Sequence, residues 1–313
     1  MDKLKKWVVI IGKVISSLCV VFMIYRLYKI EIDWSIFLRS PKTFIIIVCL
    51  IFLQVIDNFL NVTTWKMYLD TFSDQKNSYS ETASVYLKSN IAKYLPGNVA
   101  HYVGRNVLGK KMGVKQSSIL MATVFEVVCL CVFNIVFALV MSFQNVKSVV
   151  NRLVTEQRIT VISPILIVII AIIIVMGIHI FIRYRENVAH FLNKKVFLTF
   201  LKTAPIYIII IMITALILAL VFWLILDVSI NYASVASANS LSWLVGYILP
   251  GAPGGIGIRE TILVWLLESE GALEYIMLAT VVFRICLILG DFLSFLGAVF
   301  IDDLRRRKEV RNA

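Results

Sequence analysis

Two stretches decide how this chain is read: Tyr94-Leu95-Pro96-Gly97-Asn98-Val99-Ala100-His101-Tyr102-Val103-Gly104-Arg105 and Ile248-Leu249-Pro250-Gly251-Ala252-Pro253-Gly254-Gly255-Ile256-Gly257-Ile258-Arg259. In both, Leu-Pro-Gly interrupts a half-apolar segment and an Arg follows nine residues after the Pro. Proline fixes φ and lacks a backbone donor, and glycine accepts the positive φ of a reversal, so each break ends one short helix and lets another begin. The surrounding segments, 82–112 and 232–268, are rich in Ser, Asn and Gly. Neither half of either segment is long enough to cross a bilayer. They read as two re-entrant helical hairpins. Irregular backbone at membrane depth survives only against protein or water, so both are expected to line a cavity.

Working outward, long apolar runs occupy 7–29, 43–69, 117–143, 159–182, 204–226 and 273–301. Each can cross about 30 Å of hydrocarbon at about 1.5 Å per residue. The 313 residues are 60% hydrophobic and 16% charged, against about 45–50% and about 25% in an ordinary soluble domain. Mean hydropathy is +0.88. That composition excludes a disordered tail, a secreted disulfide scaffold and a soluble nucleotide-using enzyme. The expected fold is all-α: a polytopic helical membrane protein of about six full spans plus the two hairpins. The basic, then apolar N-terminus lacks a small-residue cleavage site and is expected to be a retained first helix.

Three full spans separate the two breaks, which places the hairpins on opposite faces as an inverted repeat. Half 1 is about 1–143 with re-entrant 82–112, and half 2 is about 159–301 with re-entrant 232–268. A basic tail, 302–313, follows. With the N-terminus inside, the segments 1–6, 70–116, 183–203 and 302–313 hold about two-thirds of the 31 basic residues, the bias that marks cytoplasmic loops. The same bias accounts for the net charge of +12 without invoking nucleic acid. The five cysteines, Cys19, Cys49, Cys129, Cys131 and Cys286, all lie in apolar stretches and read as small core residues.

A half-helix that starts after a break presents unpaired N–H groups and a positive dipole end, both suited to an anion. In the second copy Pro250 and Gly251, then Gly254, Gly255 and Gly257, would let backbone approach a ligand closely. Arg259 would add a bidentate donor for phosphate, with Glu260 beside it. In the first copy Pro96, Gly97 and Asn98, then His101, Tyr102 and Arg105, take the corresponding places. The competing reading of the glycines is close helix packing. His101 lacks a second ligand at metal spacing and reads as a hydrogen-bonding neighbour of the site. Lys93 sits at the hairpin entrance, to attract an acidic headgroup or to snorkel. Of the ionisable residues inside spans, four are singled out, Asp57, Glu126, Arg284 and Asp291, while Lys13 reads as a snorkelling or cavity residue. Each of the four costs about 2.5–3.5 kcal/mol at a helix centre on insertion scales, so each is a functional candidate, as an interhelix pair or as a coupling carboxylate. No nucleotide-binding Gly-rich loop, Ser-His-acid arrangement or HExxH occurs, and no cofactor is expected.

The paired motifs, Lys93-Tyr-Leu-Pro-Gly-Asn98 through Tyr102-Val-Gly-Arg105 and Leu249-Pro-Gly251 through Gly254-Gly-Ile-Gly-Ile-Arg-Glu260, resemble the membrane region of lysylphosphatidylglycerol synthases. These are flippase-like integral membrane proteins, and the likeness runs over nearly the whole chain. The resemblance implies that members with a soluble domain transfer an aminoacyl group from tRNA to phosphatidylglycerol and then translocate the lipid. It implies that stand-alone members accompany glycan or lipid biosynthesis as flippases. With the last span ending near residue 301 and the chain at Ala313, the expectation is a stand-alone form, without lysyltransferase activity of its own.

Three functions follow as expectations. The first is a translocase of the bacterial cytoplasmic membrane for a phosphate-headgroup lipid: aminoacyl-phosphatidylglycerol, another anionic phospholipid or a polyprenyl-phosphate-linked glycan. The second is a non-catalytic membrane subunit for a separately encoded lipid- or glycan-modifying enzyme. The third is an integral membrane headgroup transferase such as a phosphatidylglycerol lysyltransferase.

Overall fold

The computed structural model describes residues 41–94, 100–143, 145, 194–248, 255 and 257–312. The apolar runs 7–29 and 159–182 lie outside the described residues, as do Pro96, Gly97, Asn98, Pro250, Gly251 and Gly254.

Among the described residues the structure is helical, and its helices repeat an order of long, short, short, long. The first set is α1 (Pro41–Phe72), α2 (Tyr79–Asn90), α3 (Ala100–Gly109) and α4 (Gln116–Met141). The second is α5 (Lys194–Leu220), α6 (Tyr232–Ile248), α7 (Ile258–Leu267) and α8 (Leu273–Asn312). A 3-10 turn, Ile91–Tyr94, extends α2 toward the first break, and a π turn, Val221–Ile225, extends α5. The four long helices are apolar enough over 18-residue windows to cross a membrane. The short ones flank the two Leu-Pro-Gly motifs, with helix described on both sides of each.

Two boundaries differ from the hydropathy reading. α5 starts at Lys194, ten residues before the apolar run. Its Lys195 donates to the Asp70 and Thr71 carbonyls at 3.1 Å, satisfying orphan acceptors at the end of α1. α8 continues through the basic tail to Asn312, held by an Asp303–Arg307 pair at 2.7 Å and by Asp302 bonded to Lys88 of α2.

These contacts fix direction. α5 begins where α1 ends: Thr71 meets Thr199 at 2.8 Å and Tyr68 meets Thr203 at 3.0 Å. The two helices therefore run antiparallel. The first hairpin opens at that end, where Asn77 donates its backbone N–H to Asp70 at 2.8 Å and Ser118 of α4 donates to the Phe72 carbonyl at 2.8 Å. The second opens at the other end, where Ser234 donates to Glu270 at 2.7 Å. Packing partners are exchanged between the sets. α2 packs on α8 and α6 on α4; α1 packs on α4 and α5 on α8; α1 and α5 pack on each other.

The distribution of polarity is that of a membrane protein. Phe44, Ile45, Phe52 and Ile56 of α1 and Val128, Val132 and Val136 of α4 face outward, while Gln54, Asp57, Asn58, Glu126 and Asp291 are buried. Water-soluble proteins bury the opposite set. One apolar cluster, with Trp65, Tyr68, Leu87, Ile119 and Tyr207, braces the first hairpin. A second, with Ile217, Phe222, Leu263, Leu266 and Phe283, braces the other. Between the hairpins lies a polar cavity.

Candidate functional site

The first hairpin delivers Arg105 from the second turn of α3, and its side chain is 2% exposed. Its guanidinium bonds Glu126 of α4. It also lies over three rings: Tyr86 at 3.9 Å, Trp65 at 5.1 Å and Tyr102 at 5.8 Å to the centroids. Tyr86 donates to the other oxygen of Glu126 at 2.6 Å. Both carboxylate oxygens are thus occupied, and the charge of Arg105 is compensated by an opposite charge and by ring faces.

The second hairpin is built with its charges redistributed. Gly257, at φ 88°, opens α7 in a conformation that disfavours any side chain. Its N–H donates to Glu260 at 2.6 Å, and Arg284 of α8 donates to the other Glu260 oxygen. Glu260, 2% exposed, is therefore consumed in capping α7 and in pairing Arg284. Arg259, one residue earlier, turns toward the cavity. It makes no hydrogen bond or ion pair among the described residues, and its Nε is buried without an acceptor. Its guanidinium lies over the ring of Trp243, 5.6 Å from the centroid. Its stem runs over two glycines: a Cβ on Gly255 would lie 2.5 Å from Arg259 Nε, and one on Gly246 would lie 3.0 Å from it. Gly246 and Gly255 make the channel in which this arginine lies.

The hairpins meet. Tyr102 and Tyr247 share a hydrogen bond of 2.6 Å, and Tyr247 stacks on Trp243 at 5.0 Å with the planes 7° apart. His101 packs on Tyr102 with ring centroids 3.7 Å apart, its Nδ1 unbonded. From the turn before the first break, Lys93 pairs with Asp291 at 2.7 Å and Tyr94 donates to the same carboxylate at 2.5 Å. The cavity they enclose has a volume of about 170 Å³, below the roughly 300–1,000 Å³ of sites that engulf a whole drug-sized ligand.

Of the residues singled out from sequence, His101, Tyr102, Arg105 and Arg259 line this cavity, with Asp57, Glu126, Arg284 and Asp291. Gly255 lies under the Arg259 stem, and Gly257 and Glu260 sit behind it at the start of α7. Arg284 and Asp291 share the cavity, and each pairs with a hairpin residue: Glu260 and Lys93. Sequence reasoning passed over Tyr86, Trp243, Gly246, Tyr247, Gln54 and Asn58. The signal for Trp243 and Tyr247 is their i, i+4 spacing, which puts both rings on one face of α6. No group of three or more potential ligands capable of holding a metal occurs among the described residues.

An all-helical membrane protein with charged, broken segments around a central cavity is the class defined by this fold and site. Residues 9–294 match the family model described as the lysylphosphatidylglycerol synthase TM region. The chain belongs to that family, and it is a membrane protein with a lipid-related function. No curated protein matches it significantly.

Proposed function

We propose that this protein is a lipid translocase of the bacterial cytoplasmic membrane, moving a phosphate-headgroup lipid by alternating access. Candidate substrates are aminoacyl-phosphatidylglycerol, another anionic phospholipid and a polyprenyl-phosphate-linked glycan. The observation that carries this reading is Arg259: a cation at membrane depth, facing a cavity, with no ion-pair partner among the described residues. A charge at a helix centre costs about 2.5–3.5 kcal/mol, and packing alone gives no reason to keep one unneutralised over two glycines. A phosphate supplies the missing charge and accepts the unused N–H donors bidentately.

The hairpins open at opposite ends and exchange packing partners between the two sets of helices, which supports an inverted repeat with both hairpins re-entrant. Repeats of that kind let one half rock against the other around a fixed central site. The end bearing residues 70–116, 194–203 and 302–312 is assigned to the cytoplasm by its excess of Lys and Arg, so the C-terminus is cytoplasmic and, by the span count, so is the N-terminus. Within this scheme Arg259 is the headgroup ligand, while Arg105 holds the first hairpin to α4.

The test is mass spectrometry of lipids that co-purify with gently extracted protein, wild type beside Arg259→Met. Enrichment of one phosphate lipid in the wild type and its loss by about tenfold in the variant, equivalent to about 1.4 kcal/mol, is the expected result. Equal recovery from both would overturn the assignment of Arg259.

A further inference from the structure

The cavity has a second side that Arg259 does not use. Gln54, Asp57, Asn58 and Asn61 recur at i, i+3, i+4 and i+7 on one face of α1. Asp291 and Ser294 of α8 face them: Asn58 donates to Asp291 at 2.9 Å and to Ser294 at 3.0 Å. Gly290 lets the helices approach, since a Cβ there would lie 2.5 Å from the Gln54 side chain.

The two carboxylates in this cluster are treated differently. Asp291 is saturated by Lys93, Tyr94, Asn58 and Gln54. Asp57 is not: its Oδ2 accepts from Asn61 at 3.1 Å, and its Oδ1 has no donor among the described residues. Gln54 Oε1 is also buried without a donor. The amide of Gln54 cannot be turned round to cure this, because its Nε2 faces Asn58 Oδ1 and Asp291 Oδ1, both acceptors, at 3.4 Å each. Two acceptors three residues apart on one helix face therefore lack a donor among the described residues, on residues 4% and 5% exposed. The cluster's formal charge is also short by one. Asp57 and Asp291 contribute two negative charges against the one positive charge of Lys93.

We propose that Asp57 is a proton-binding site, with Gln54 as the acceptor of its O–H and the Lys93–Asp291 pair as its counterweight. A proton from water adds to the Asp57 carboxylate, which becomes a neutral acid. Its hydroxyl donates to Gln54 Oε1, so one event supplies both the missing donor and the missing charge. Loss of the proton to water leaves two carboxylates competing for Lys93, which sits on the turn leading into the first break. Proton release therefore pulls on that hairpin, and on the translocase reading, on which this coupling step rests, it drives the cycle. Among the described residues, none of the other charged or titratable groups of the cavity donates a hydrogen bond to the Asp57 carboxylate. Tyr94 donates to Asp291; Arg284 and Glu260 pair behind α7; Arg105 and Glu126 pair beneath α3. Tyr207 of α5 is buried in the apolar cluster around Trp65, and His101 and Arg259 stand on the opposing hairpins.

Infrared difference spectroscopy of the purified full chain at neutral pH tests this without any lipid. The wild type should show the carbonyl stretch of a protonated, hydrogen-bonded carboxyl that is abolished in Asp57→Asn. Gln54→Met, which keeps both carboxyls, should shift that band to the frequency of a free acid, and this variant decides the matter if Asp57→Asn does not fold. Absence of the band from the wild type, its survival in Asp57→Asn, or its replacement by a sodium-dependent carboxylate band would overturn the proposal. Lipid recovery by Arg259→Met is a separate readout, so a failed proton site and a failed headgroup site give different results.

Discussion

The two hairpins carry the same Arg at the same distance from the same Pro and put it to different uses. In the first, the following long helix offers a carboxylate, Glu126, and Arg105 is locked to it among aromatic rings. In the second, the following long helix offers a cation, Arg284, and the carboxylate comes from the hairpin itself as Glu260. The acid therefore changes places between hairpin and helix. The second hairpin spends it on Arg284 and on capping α7, which leaves Arg259 without an ion-pair partner among the described residues. A repeated motif thus yields one arginine paired with a carboxylate and one that, among the described residues, is not. The difference lies in what the neighbouring helix brings.

The comparison can be broken at Glu126. Removing it by Glu126→Ala strands a fully buried guanidinium and should destabilise the detergent-solubilised protein by about 3–5 kcal/mol, measured by chemical unfolding. Pairing it with Arg105→Met should recover most of that loss, because a buried ion pair replaced by apolar groups is often close to neutral. Glu260→Ala should cost less, about 2–3 kcal/mol in the same assay, since Arg284 retains some solvent access and only one capping contact goes with it. Tyr247→Phe removes the hydroxyl that joins the hairpins and should lower stability by about 0.5–1.5 kcal/mol. Arg259→Met should lower stability by less than about 1 kcal/mol, if at all, because the lost ring contact is offset by removal of a buried, unpaired charge, and a large loss would make the two arginines equivalent after all. The smallest effect belongs to the exposed pair Asp74–Lys115, 2.8 Å apart. The Lys115 hydrogen bond and charge hold the Asp74 carboxyl below its usual range. Its contribution is therefore present at neutral pH and fades in acid, but water screens it. Asp74→Asn should leave the melting temperature at neutral pH unchanged within error.

Much of the architecture was legible because it depends on local chemistry. An apolar run of span length and a Leu-Pro-Gly motif both act over a few residues. The ends of α5 and α8 were not legible, because their continuation through Lys194–Thr203 and 302–312 depends on partners such as the carbonyls of α1 and Lys88 of α2. Gly246 and Gly255 show the same limit: as letters they suggest packing or turning, and only the path of the Arg259 stem shows what they accommodate.

The sequence by itself determined the helical membrane class, the two broken segments and the residues at membrane depth that carry charge, since hydropathy and backbone restriction are properties of short stretches. The tertiary structure alone decided how those charges are matched. Glu126 to Arg105, Glu260 to Arg284 and Lys93 to Asp291 are pairings set by how helices are rotated and apposed. Coulomb attraction in a low-dielectric interior depends on that final distance and not on separation along the chain.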